Sequence, residues 1–221
     1  MISALILDQD GTLYPSLSPL SSELRRRTKE WLQKALGVSS DAIDDLYSRL
    51  QAEHPHPYDG FKSVGLSPEE YLEQVFDRID PAAYLSRDEH LRTLLGNIGC
   101  PKFVVTLSSL SYASKLQKAL GIREILQETV SMIDLVPHHG KDAAYTSIRK
   151  RIQVPLENIL VVGDNILLDI KPALAAGFPA LLVGCPPPGY RGANIESIYE
   201  LEDFLHRKSH HKQKKRTTYQ W

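Results

Sequence analysis

The chain has 221 residues, of which 42% are apolar and 24% charged. That is the make-up of an ordinary soluble globule of one or two domains, large enough to build a core without disulfide or metal staples. Its net charge of −1 divides unevenly: residues 207–221 hold six basic side chains and no acid, leaving 20 basic and 27 acidic groups on the other 206 residues, and this mildly acidic body argues against a protein whose main surface grips nucleic acid.

Ile2 to Leu7 is a nearly continuous apolar run that ends in Asp8 and Asp10. It predicts a strand buried on both faces. The run is too short, and the acids too close, for a signal peptide. Gly11 and Pro15 punctuate the loop that follows. Residues 20 to about 96 then predict four helices and no strand. Ser21-Ser22-Glu23 opens the first, with Leu24, Trp31, Leu32 and Leu36 at helical spacing and Gly37 as its stop. Ser39-Ser40-Asp41 opens a second, and His54-Pro55-His56-Pro57 breaks it. Ser67-Pro68 starts a third with Ser as cap and Pro in the first turn. Ser86 to Leu95 gives a fourth. From there strands and helices alternate. The strands are Phe103–Thr106, Thr129–Leu135, Ile159–Val162 and Ala180–Val183; the helices are Ser111–Leu120, Lys141–Ile152, Leu168–Ala176 and Ile195–Leu205. Such alternation predicts a parallel sheet covered on both faces. No apolar run approaches 18 residues, so nothing is expected to span a membrane. Cys100 and Cys185, with 84 residues between them, cannot form a zinc cluster alone and suit a reduced, cytoplasmic protein.

Ligands of parallel sheets sit beyond the carboxyl ends of the strands. There the sequence places Asp8, Asp10 and Thr12, then Thr106, Leu107 and Ser108, then Lys141 at a helix start, then Asp164, Asn165 and Asp169. Several carboxylates in one crevice repel each other unless a cation sits among them. All-oxygen donors suit a hard ion, and Mg²⁺ takes one or two carboxylates together with substrate phosphate oxygens. A cation, a lysine and hydroxyl donors are what a phosphoryl group in transfer requires. One aspartate can then attack phosphorus and carry a covalent aspartyl-phosphate.

These residues resemble a known family. Leu7-Asp8-Gln9-Asp10-Gly11-Thr12-Leu13-Tyr14 is similar to motif one of the haloacid dehalogenase-like hydrolases, Asp-x-Asp-Gly-Thr. Thr106 resembles motif two, Lys141 motif three, and Gly163-Asp164-x4-Asp169 motif four. The resemblance covers about residues 1–205. It implies a Rossmann-like, doubly wound α/β core, 1–15 and 91–206, with an inserted all-helical cap, 16–90. It further implies Asp8 as nucleophile and Mg²⁺ ligand. Asp10 would be the acid for the leaving oxygen and then the base for water, its main-chain carbonyl on the metal. Thr106 and Lys141 would hold the phosphoryl group and Asp164 would ligate Mg²⁺, with Asp169, Thr12 and Asn165 in support. Leu107 stands where the family often has Asn, at a position that can contact substrate. Lys141-Asp142 replaces the frequent Lys-Pro, and proline there only favours a first helical turn.

Segments around Leu13-Tyr14-Pro15, Tyr58-Asp59-Gly60-Phe61 and Gly65 to Tyr71 are similar to the pyrimidine 5′-nucleotidase-like branch. The resemblance therefore implies a Mg²⁺-dependent phosphatase for a small phosphorylated metabolite, with a nucleoside 5′-monophosphate among the candidates, working as a monomer or homodimer. Two alternatives stand beside it. One is a sugar-phosphate phosphomutase with the same two aspartates. The other is a non-catalytic scaffold that binds partners through its basic tail. That tail, 207–221, reads as disordered, with at most weak contacts to nucleic acid or anionic lipid. Asp8 and Asp10 as mere turn acids, Lys141 as a surface lysine and Asp169 as a helix-start acid are the plainer readings. His138-His139 reads as a solvated loop rather than a metal site.

Overall fold

Ala4–Leu7 forms the first strand, β1, and every residue of it is buried. In an extended chain alternate side chains face opposite ways, so Leu5 and Leu7 enter one apolar cluster while Ala4 and Ile6 enter another. A computed structural model describes residues 1–135 and 140–207; the His138-His139 reading and the tail from residue 208 lie outside them. Five more strands join β1: β4 (Lys102–Thr106), β5 (Glu128–Ser131), β6 (Ile159–Gly163), β7 (Ala180–Val183) and β8 (Asn194–Ile195). All pairings are parallel, in the order β5-β4-β1-β6-β7-β8. The chain runs from β1 outward to β4 and β5, then returns to β6 on the other side of β1. The order therefore reverses at β1, and the crevice above its carboxyl end is where such sheets bind ligands. A two-residue ladder just past it, β2 (Asp10–Gly11) with β3 (Tyr14–Pro15), shapes the loop that the sequence left without structure.

Between β3 and β4 the described elements are all helical. α1 (Pro19–Leu36) is capped by Ser18, which accepts from Ser21 N, and ends at Gly37 with φ +65°. That left-handed value suits a residue without Cβ. Leu20, Leu24, Thr28 and Leu32, four apart, form its buried stripe. α2 (Ile43–Glu53) follows Ala42, later than the Ser39 start expected, and α5 (Glu89–Asn97) is capped by Asp88. The His-Pro pairs do end α2, but they also start α3 (Pro57–Ser63), a helix the sequence reading missed. Pro57 fits a first turn, and the His56 imidazole accepts from Tyr58 N. α4 (Pro68–Tyr71) runs into a wide turn, Leu72–Phe76, where Asp77 N reaches back to Leu72 O. Leu32, Phe61 and Tyr71 of this stretch share one cluster with Leu5 and Leu7 of the sheet.

Three expectations in the second half need correction. The strand expected over 129–135 stops at Ser131, and Met132–Leu135 is helical (α7); periodicity cannot separate a short apolar run of either kind. The helix expected from Leu168 begins earlier, as a wide turn Ile166–Ile170 capped by Asn165, followed by α9 (Lys171–Ala175). The helix expected from Ile195 is confined to 198–207, with Ile198–Glu200 as a tight first turn, because Ile195 pairs with Val183 as a buried edge strand. α6 (Leu110–Leu120) and α8 (Lys141–Ile152) fall where expected.

Candidate active site

β1 delivers Asp8 one residue past its ladder, fixed by a bond from Asp8 N to Val162 O. β4 ends on Thr106, β6 on Gly163 next to Asp164, and α8 opens on Lys141. Asp8, Asp10, Thr106, Leu107, Lys141, Asp164, Asn165 and Asp169 all line one cavity of about 210 Å³. Thr12 stands just behind, donating to Asp8 Oδ2 at 2.9 Å. Every site residue named from the sequence thus meets at this one crevice.

Lys141 is buried, and its Nζ donates to Asp8 Oδ1 at 2.5 Å and to Asp169 Oδ1 at 2.7 Å. Burial works against its charge, but Asp169 and then Asp8 more than offset that and hold the ammonium well above the ordinary lysine value. Asp169 Oδ2 also accepts from Asn165 N, while the Asn165 side chain caps Leu167 N and Leu168 N. The wide turn places Asp169 against the strand end. Gly163 permits this, because a Cβ there would lie 2.5 Å from the Asp169 carboxyl carbon.

One carboxylate oxygen each from Asp8, Asp164 and Asp169 lies within 4.8 Å of the others. Burial, then the charges of Asp8 and Asp169, raise the Asp164 pKa. Like charges drawn together in a buried site are relieved by a hard cation. Gly11 keeps the approach open: it has φ +93°, and a Cβ on it would fall 2.2 Å from Asp164 Oδ2. The donor set and the room beside it fit Mg²⁺.

Asp10 stands apart from this triplet. Its Oδ1 accepts from Tyr14 at 2.7 Å and Tyr112 at 3.3 Å, and its Oδ2 from Gln9 at 3.3 Å and Thr106 at 3.4 Å. Burial first, and the Asp8 charge second, push its pKa up to about 6. That brings its proton into the range where an acid or base is useful near neutrality. Two carboxylates two residues apart thus live in different environments. Asp8 is bound to an ammonium and Asp10 is bound to phenols.

The far side of the cavity is built by Pro57, Tyr58, Tyr71, Phe76, Leu107 and Leu168. Tyr58 OH donates to Leu107 O, tying α3 to the end of β4. Ser108 completes the floor, its Oγ within 2.9 Å of Thr106 Oγ1 and 3.2 Å of Gln9 Nε2. The sequence reading assigned no role to Ser108, Tyr112, Tyr71 or Phe76. Ser108, two residues beyond Thr106, was visible as a strand-end hydroxyl; Tyr71 closes the Gly65–Tyr71 segment similar to the pyrimidine 5′-nucleotidase-like branch, while Tyr112 and Phe76 carried no motif and look like helix core.

A family model described as haloacid dehalogenase-like hydrolase matches residues 2–177. A protein from Methanopyrus kandleri named glyceraldehyde 3-phosphate phosphatase is 30% identical over 193 residues, 80% of this chain and 82% of that protein. Among solved structures, a HAD phosphatase from Thermococcus onnurineus is similar, with TM-score 0.60, 24% identity and cover of 92% of this chain and 98% of its own. A HAD hydrolase from Bacillus subtilis, bound to magnesium, has TM-score 0.64 and 15% identity, with cover of 93% of this chain and 99% of its own.

Proposed function

This chain belongs to the haloacid dehalogenase-like hydrolases and is a phosphatase, and we propose that it is a Mg²⁺-dependent one that removes phosphate from a small phosphomonoester by way of Asp8. The observation that carries the reading is the pairing of Lys141 with Asp8 and Asp169 on the cavity floor, with Asp10 lining the same cavity but bonded to Tyr14 instead. The ammonium stabilises charge on the phosphoryl oxygens, and Thr106 and Ser108 offer hydroxyl donors beside it. Asp8 attacks phosphorus as the bond to the leaving oxygen breaks, and Asp10 gives that oxygen its proton. Water then attacks the phosphorus of the aspartyl-phosphate and passes a proton to Asp10. The bond to Asp8 breaks and inorganic phosphate leaves. Mg²⁺, held by Asp8, Asp164 and the Asp10 carbonyl with Asp169 in support, would neutralise charge on the transferred group and help align it.

The helical stretch 16–90 acts in this reading as a cap over the core, and the setting is cytoplasmic. Among the described residues no helix is long and apolar enough to cross a membrane. The cavity, about 210 Å³, is below the roughly 300–1,000 Å³ of sites for drug-sized ligands, which favours a body of triose size. A nucleoside 5′-monophosphate would require the helical wall to move outward. The test is a panel of triose, sugar, glycolate and nucleoside phosphates with Mg²⁺, read as inorganic phosphate. The expected result is release that peaks on the smallest bodies and is lost in Asp8→Asn. Release undiminished in Asp8→Asn would end the nucleophile assignment. Sugar phosphates isomerised without phosphate release would favour a mutase.

A further inference from the structure

Asp10 sits on a short loop, and a carboxylate rotates about its last bond between two nearly equivalent settings. Its oxygens become distinct only if the surroundings treat them differently. Here they do. Oδ1 takes a 2.7 Å bond from Tyr14 of β3 and a longer one, 3.3 Å, from Tyr112 of α6, while Oδ2 has only two long contacts, 3.3 Å to Gln9 and 3.4 Å to Thr106. Contacts of 3.3–3.4 Å lie at the weak end of the range and can yield to a substrate oxygen, whereas the 2.7 Å bond from Tyr14 is a firm one.

The phenols themselves are fixed. Tyr112 is fully buried and Tyr14 nearly so, and burial keeps both protonated. The Tyr112 ring packs edge to face on Phe76, 4.8 Å between centroids at 87°, and Phe76 lines the cavity. Tyr14 is held in the β2–β3 ladder, opposite Asp10 itself. Neither tyrosine lines the cavity, so neither is placed to touch substrate.

We propose that Tyr14 and Tyr112 are positioning residues: the firm Tyr14 bond, with Tyr112 as a weaker second donor, pins Oδ1 of Asp10 and so presents Oδ2, on the Thr106 side, to the leaving oxygen of the ester. This rests on the reading of Asp10 as the leaving-group acid. An acid held in place matters most when the leaving oxygen is basic and hardly at all when it departs unaided.

The experiment compares kcat/KM, which stops at formation of the aspartyl-phosphate, for an alkyl or triose phosphate and for p-nitrophenyl phosphate. Parent, Tyr14→Phe, Tyr112→Phe and Asp10→Asn are measured with saturating Mg²⁺. Tyr14→Phe should lose about tenfold and Tyr112→Phe about fourfold on the alkyl ester through kcat with KM held, and each about twofold or less on the nitrophenyl ester, a fraction of the 10²–10⁴ that a whole acid supplies. Asp10→Asn should show the same asymmetry, enlarged. Equal losses on both esters, or losses confined to KM, would overturn the positioning role. The two variants read the same oxygen from different elements, so a folding defect in one leaves the other to decide. If Asp10→Asn itself shows no asymmetry, the acid reading fails and this inference with it. Asymmetry in Asp10→Asn but not in the tyrosine variants sinks the inference alone.

Discussion

The floor and the wall of the cavity are made by different physics. The floor is Asp8, Thr106, Lys141, Asp164 and Asp169, each at the end of a strand or the start of a helix, crossed by ion pairs at 2.5 and 2.7 Å. The wall is Tyr58, Tyr71, Phe76 and their neighbours, held by ring contacts such as Phe61–Tyr71 at 4.5 Å and Tyr71–Phe76 at 5.5 Å. Buried charges are strict about partner and distance, since a missing partner leaves an uncompensated ion. Packed rings tolerate exchange of shape for shape. Chemistry should therefore be brittle to change in the floor, and selectivity should drift with change in the wall.

The largest effect belongs to Lys141. In Lys141→Met the ammonium is gone and Asp8 and Asp169 face each other buried and unpaired. Activity should fall by about 10³ or more, and the metal-free protein should lose about 3 kcal/mol, read by phosphate release and by urea unfolding in chelator. A variant with activity near the parent's would place the lysine outside the chemistry.

Gly11→Ala comes next. The new methyl would sit where Asp164 Oδ2 now lies, 2.2 Å from the Cβ position, on a backbone at φ +93°. The carboxylate must turn away, so Mg²⁺ affinity should drop between ten- and a hundredfold, measured by calorimetric titration. Unchanged affinity would remove Asp164 from the metal shell.

Asp10→Asn sharpens the comparison by moving stability and activity in opposite directions. The folded pKa of Asp10 is raised to about 6 by burial and then by Asp8. Its contribution to stability is fully present below the unfolded carboxylate value and is lost as pH rises through about 6. Asparagine stays neutral throughout. In chelator at pH 8 the variant should be more stable than the parent by about 3 kcal/mol, and the gap should close toward pH 4. A gap that widens on acidification would reverse the assignment of cause.

The same division explains what could be read from the residues alone. Asp8, Asp10, Thr106, Lys141, Asp164 and Asp169 declared themselves because each charge or hydroxyl follows an apolar strand or opens a helix, and the alternation fixed one sheet with one open end. The wall gave no such sign. Phe76 and Tyr112 sit at helical spacing that any core would show, and their meeting, 4.8 Å apart, depends on how α6 packs against the turn after α4. Gln9 was equally silent. Its amide joins Asp10, Ser108 and Gln117 only once β1, β4 and α6 are assembled. The missed helix α3 has a local cause. Pro57 two residues after Pro55 looks like continued breakage, yet the first position of a helix needs no N–H.

Tyr58→Phe gives the smallest effect and tests where floor and wall join. Its hydroxyl donates to the Leu107 carbonyl, which follows the Thr106 donor of the floor. A second tie links the same parts farther out, Ser109 Oγ to Asp77. Removal of one neutral hydrogen bond costs about 1 kcal/mol, and the phenyl ring keeps its packing on Tyr71, 6.4 Å away, and on His56. The floor geometry is untouched, so kcat on the smallest ester should stay within about twofold. The wall is freer to swing, so KM should rise a few-fold on small esters and fall on bulkier ones, including nucleoside monophosphates. A kcat loss beyond tenfold with KM constant would mean that Leu107 positions the phosphoryl group itself, and that floor and wall act as one unit.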